Sequence, residues 1–148
     1  MSRKIIIDTD PGQDDAVAIL LALASPQELD VLGIVAVAGN VGLHHNTSNA
    51  RKIVELSGRH EVPVYAGCSR PMRRKLVTAE HVHGDTGMNG PDLPAPTLVP
   101  LQQQHGVDFI IDTLMAAPPK TITLCTLGPL TNIAMALVKQ PAIAERIA

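Results

Sequence analysis

The apolar positions fall into short blocks of two alternating kinds. Ile5, Ile6 and Ile7 form a β-branched run without polar alternation, the pattern of a strand covered on both faces in a parallel sheet, and the run stops at Asp8. After Pro11-Gly12 a helix is expected over 14–24, with Asp14 and Asp15 in its first turn, where the helix dipole favours acids. Val31 to Ala38 is a second strand candidate ending at Gly39-Asn40, and the helical stretch after it runs through Arg51 to Ser57 with Gly58 as cap. Val62 to Ala66 is a third strand. Seven prolines and glycines between Gly84 and Pro100, Pro91 among them, predict that 67–100 is a long loop. Val107, Ile110, Ile111, Leu114 and Met115 then recur at i, i+3, i+4, i+7 and i+8, a helix with one buried face that Pro118-Pro119 ends. Thr121 to Leu127 is another strand, Gly128-Pro129 a turn, Leu130 to Val138 a helix, and Pro141 can start one more. Strand then helix, repeated, predicts an α/β fold: an open, mostly parallel sheet with helices on both faces. The final AIAERIA leads into no further strand, so the pattern looks cut inside a domain.

Composition narrows the function. Lys plus Arg number 12 against 14 Asp plus Glu, a formal charge of −2, so no nucleic-acid partner is expected. At 45% hydrophobic and 18% charged the chain is globular, and no run reaches the ~18 apolar residues of a membrane span, so no membrane partner is expected either. Tyr65 and Phe109 are the only aromatic residues, which leaves an aliphatic core and no platform for base stacking. MSRKIIIDTD lacks a secretory signal, and Cys68 and Cys125 lie far apart, so a reducing cytoplasm and two small core thiols are expected. Arg70, Arg73, Arg74 and Lys75 read as a solvated face or subunit contact, while His44, His45, His60 and His105 are assigned no role.

Polar residues gather where strands are expected to end: Asp8 and Asp10, then Asn40, then Leu127-Gly128. In open parallel sheets those ends form the ligand crevice. DTDPGQDD sets four carboxylates, Asp8, Asp10, Asp14 and Asp15, within eight residues, more than capping a helix requires. Their repulsion calls for protons or a cation, and an all-oxygen set without thiolate or clustered imidazole suits Ca²⁺ or Mg²⁺ rather than Zn²⁺. Helix neighbours point about 100° apart, so Asp14 and Asp15 are expected to divide the work, one meeting metal and the other substrate.

The run DxDPGxDD, followed by Ala16, resembles the signature of the calcium-dependent nucleoside hydrolases of the inosine-uridine-preferring type. VAGN at 37–40, VYAG at 64–67, HVHGDTG at 81–87 and TLGPLTNIAMAL at 126–137 resemble the same family in the same order. The resemblance implies hydrolysis of the N-glycosidic bond of a pyrimidine or purine ribonucleoside, giving free base and ribose. It implies Ca²⁺ held by Asp10, Asp15 and the Leu127 carbonyl, with Asp10 taking the proton of a calcium-bound water. Asp14 and Asn40 would bind the ribose hydroxyls, and His83 would sit near the base and the 5′ side. The nearby anions would stabilise an oxocarbenium-like ribosyl cation. Residues 1–148 would then be the N-terminal part of a single nucleoside hydrolase-like domain, with a homo-oligomer expected.

Two other readings are open. A haloacid-dehalogenase-like phosphatase also carries D-x-D after its first strand, with Asp8 as nucleophile and Asp10 as acid, although Gly12 stands where a small hydroxyl residue is wanted. A truncated chain could also serve only as a binding or oligomerisation module.

Overall fold

The computed structural model describes residues 2–90 and 92–148; Pro91 of the proline- and glycine-rich stretch lies outside them. Five parallel strands, β1 (Arg3–Thr9), β2 (Leu29–Ala36), β3 (Val64–Ala66), β4 (Leu101–Gln102) and β5 (Ile122–Thr126), form one sheet in the order β4-β3-β2-β1-β5. β1 is an interior strand, paired with β2 and β5, and its isoleucines are apolar on both faces. Ile5 and Ile7 pack beneath α1 (Gln13–Leu23) and α2 (Leu43–Ser57), with Ile19, Leu23, Ile34, Ile53 and Val54. Ile6 faces the opposite layer with Val35, Ile110, Leu114 and Ala136, beneath α4 (Gly106–Ala116) and α5 (Thr131–Lys139). Each fully buried aliphatic side chain contributes roughly 1.5–3 kcal/mol. The two aromatics stack in the second layer, ring centroids 3.9 Å apart.

Several boundaries differ from the sequence pattern. β1 runs through Asp8 to Thr9, since the ladder with β2 continues to the Thr9–Ala36 pair despite two polar side chains. β2 starts two residues earlier and stops at Ala36, and β3 is confined to Val64–Ala66 behind Pro63, although Val62 still packs in the core. α2 begins at Leu43, and Gly58 closes it in the left-handed conformation expected of a C-terminal glycine, φ 74°. The segment read as loop carries a short helix, α3 (Glu80–His83), and leads into β4. Pro141–Glu145 is a 3-10 turn, and beyond β5 a single parallel bridge joins Ile122 to Ile147. Cys68 and Cys125 are half-buried at the margins of the two layers rather than within them. No helix among the described residues is long and apolar enough to cross a membrane.

The chain winds from β1 through β2 and β3 to β4 on one side, then returns to place β5 on the other side of β1. That reversal opens a crevice at the carboxyl ends of β1 and β5, where the two connections leave in opposite directions.

Candidate active site

Asp10 stands at this crevice, 6% exposed. Its Oδ2 accepts a hydrogen bond from the Asn40 backbone N–H at 2.7 Å, and the Asn40 side-chain amide donates to the Asp10 carbonyl at 2.9 Å. The carboxylate is wedged between two glycines: a Cβ on Gly39 would lie 2.0 Å from Oδ2, and one on Gly128 2.7 Å from Oδ1. Only glycine at the ends of β2 and β5 leaves room for this acid. Its Oδ1 accepts no hydrogen bond from another described residue.

Asp15, also 6% exposed, accepts from the Thr9 hydroxyl at 2.7 Å and from the Gly12 N–H at 3.2 Å. The second contact closes the free amino end of α1, and the first locks the carboxylate to the last residue of β1. Asp14 is exposed, its Oδ1 beside Gly12. The helix thus turns one acid inward and one outward, as the spacing predicts. Leu127 extends the site by its backbone: its N–H donates to the Asp8 carbonyl at 2.8 Å, its side chain is 45% exposed, and its own carbonyl accepts no backbone hydrogen bond among the described residues.

Asp8 is 1% exposed. Asn132 donates to its Oδ2 at 2.7 Å, and Oδ1 is buried without a partner. Burial pushes Asp8 from an ordinary 3.8 to about 7, opposed by the Asn132 amide and reinforced by the charge of Asp10. Burial likewise lifts Asp10 to about 6, with the Asn40 N–H pulling it back and the charges of Asp15 and Asp14 adding to the rise. A buried, amide-bound Asp8 has no access to a phosphoryl group, which removes the phosphatase reading that made it the nucleophile.

His83 lies on α3, and its Nδ1 is 2.6 Å from Gln13 Oε1, beside the acid loop. The sequence pattern thus brings Asp8, Asp10, Asp14, Asp15, Asn40, Leu127 and His83 to one end of the sheet. It does not reveal the supports. Asn132 also accepts from the Cys68 N–H at 2.7 Å, and Asn49 donates to the carbonyls of Pro11 and Thr86 at 3.3 and 2.8 Å. A legible signal existed for Asn132, a polar residue one helical turn before buried Ala136 on the core face of α5. His105 is structural, its Nδ1 accepting from the Val107 N–H at the start of α4. Arg70, Arg73, Arg74 and Lys75 are exposed.

The donors suit a hard cation. All are oxygens, Asp10 Oδ1 and the Leu127 carbonyl are open, and the repulsion among the acids, which adds to the rise that burial causes at Asp10 and Asp8, is what a positive charge would relieve. Among the described residues no three Asp, Glu, His or Cys side chains converge closely enough to hold a metal alone, so two carboxylates and a carbonyl would leave positions for water and substrate.

The family model described as inosine-uridine preferring nucleoside hydrolase matches residues 5–148. The inosine-uridine preferring nucleoside hydrolase of Crithidia fasciculata is 47% identical over 147 residues, covering 99% of this chain and 46% of its own. The pyrimidine-specific ribonucleoside hydrolase RihB of Escherichia coli O157:H7 is 46% identical over 145 residues, 98% of this chain and 45% of its own. A solved purine-preferring ribonucleoside hydrolase from Gardnerella vaginalis superposes with a TM-score of 0.88 at 36% identity, covering 98% of this chain and 46% of that one. The chain spans about half the length of these relatives.

Proposed function

The chain belongs to the inosine-uridine preferring nucleoside hydrolase family, and from that premise we propose that its crevice is the N-terminal half of a site that hydrolyses the N-glycosidic bond of a ribonucleoside, releasing base and ribose. Asp10, Asp15 and the Leu127 carbonyl would hold Ca²⁺. Calcium, when bound, supplies a positive charge that offsets the acid cluster and acidifies water.

Asp10 Oδ1 is the proton acceptor in this reading. Its companion oxygen is tied to the Asn40 N–H, so the open oxygen is held in place and free to receive a proton from the attacking water. Asp14, exposed at the crevice rim, and the Oδ1 of Asn40, whose amide nitrogen is already used, accept hydrogen bonds from the ribose hydroxyls. Asp15, fastened by Thr9 and Gly12, keeps a fixed negative charge beneath the sugar as positive charge grows on it. The localisation in cytoplasm and the assembly of several copies belong to the same proposal.

The observation that carries the reading is Asp10 wedged between Gly39 and Gly128 with one oxygen unused, beside Asp15 and Asn40. The test is a chimera in which residues 1–148 replace the matching stretch of the Crithidia relative. It should release base from inosine or uridine with calcium and stop in chelator, and Asp10→Asn should lower kcat by roughly 10²–10⁴. A chimera that folds and stays inactive, or one indifferent to Asp10→Asn, contradicts the proposal.

A further inference from the structure

Gln13 occupies one of the two unspecified positions of the acid loop signature, Thr9 being the other, and its amide is caught between two partners. Its Nε2 lies 3.1 Å from the Asn89 carbonyl oxygen, and its Oε1 lies 2.6 Å from His83 Nδ1. A carbonyl only accepts, so the nitrogen end of the amide must face Asn89; the reversed amide would set two oxygens against each other. With the orientation decided there, the oxygen end must face His83, and the contact is a hydrogen bond only if Nδ1 carries the proton.

We propose that Gln13 is a positioning residue that holds neutral His83 as the Nδ1–H tautomer, leaving Nε2 as a hydrogen-bond acceptor for an O–H or N–H group of the bound molecule. The proposal rests on the ribonucleoside reading only for what Nε2 meets; the tautomer follows from Gln13 and Asn89 alone. The surroundings keep the arrangement in place. A methyl group on Gly12 would lie 2.7 Å from both Cε1 and Nδ1 of His83 and 3.1 Å from Asp14 Oδ1, so the ring edge and the Asp14 carboxylate close over Gly12 together. The Asn89 N–H donates to the His83 carbonyl at 3.1 Å, fixing α3 to the carbonyl that orients Gln13. Nε2 makes no hydrogen bond among the described residues. Acceptors at both His83 Nε2 and Asp14 select a ligand rich in donors, which a sugar or a nucleobase with a ring N–H is.

The test is a long-range proton–nitrogen correlation spectrum of the histidine-labelled 148-residue chain at about pH 9, above the ordinary imidazole range near 6.5, with His83→Gln to assign the signal. His105 serves as an internal reference of the other kind, because its Nδ1 accepts from Val107 and its proton must sit on Nε2. The expected result is an Nδ1–H pattern for His83 in the unaltered chain that is lost in Gln13→Leu, where Nε2–H becomes the main form. An Nε2–H pattern in the unaltered chain, or an Nδ1–H pattern undiminished in Gln13→Leu, overturns the proposal. The readout needs no ligand or turnover, so its failure is distinct from failure of the nucleoside reading, which shows as absent base release by the chimera.

Discussion

Asp8 and Asp10 sit two residues apart at the end of one strand and meet different surroundings. Asp8 is sealed beneath Asn132, whereas Asp10 keeps an open oxygen. Both bind protons more tightly folded than unfolded, Asp8 near 7 and Asp10 near 6 against an ordinary 3.8. The folded state therefore takes up protons relative to the unfolded one between about pH 4 and 7, and stability falls as pH rises through that window. In chelator, Asp8→Asn, which keeps an oxygen for the Asn132 amide, should remove most of this slope and stabilise the chain at pH 8 by up to about 4 kcal/mol, measured by denaturant unfolding across pH. At the exposed acid the expectation is kinetic: Asp14→Ala in the chimera should cost at least about 2 kcal/mol in kcat/KM, because it removes a charge-assisted hydrogen bond to the sugar. Equal hydrolysis of ribo- and 2′-deoxyribonucleosides would count against that role. The acids were legible in the sequence because four of them crowd one turn. Thr9, Asn49 and Asn132 were not, because their partners are backbone groups and carboxylates up to 124 positions away.

At the level of elements, an uninterrupted β-branched run marks β1 and a periodic apolar face marks α4, and both lie where that pattern places them, within a residue or two at the ends. The segment after β3 was illegible because its order is imposed from outside. Arg51 on α2 donates to the carbonyls of Val99 and Pro96, and Glu55 accepts from the N–H groups of Leu98 and Val99. Two helix side chains thus stand in for the ladder that a proline-rich stretch cannot make, and they deliver the chain to β4. Replacing Glu55 by Ala should speed hydrogen exchange at Leu98 and Val99 while leaving the β1 amides protected, a difference that exchange measured residue by residue resolves. Uniform acceleration would mean that the clamp supports the whole sheet.

Across the whole molecule, the crevice is built on one side by the acid loop and Asn40 and on the other by Leu127-Gly128, at the point where the strand order reverses. β5 is paired along one side and past Ile122 meets no further strand among the described residues, while Val17 and Leu21 on α1 are each 67% exposed. Open strand edges and apolar faces favour association, so sedimentation of the 148-residue chain should show self-association that grows with concentration. Three protein oxygens are fewer than the roughly six to eight that calcium takes, so the same chain should release base orders of magnitude more slowly than the chimera. The most direct check of the crevice as a metal and sugar site is a calorimetric calcium titration of the chain with and without uridine. We expect calcium binding that uridine strengthens and that Asp10→Asn abolishes. Calcium binding that is absent, or indifferent to both uridine and Asp10→Asn, would contradict the site described.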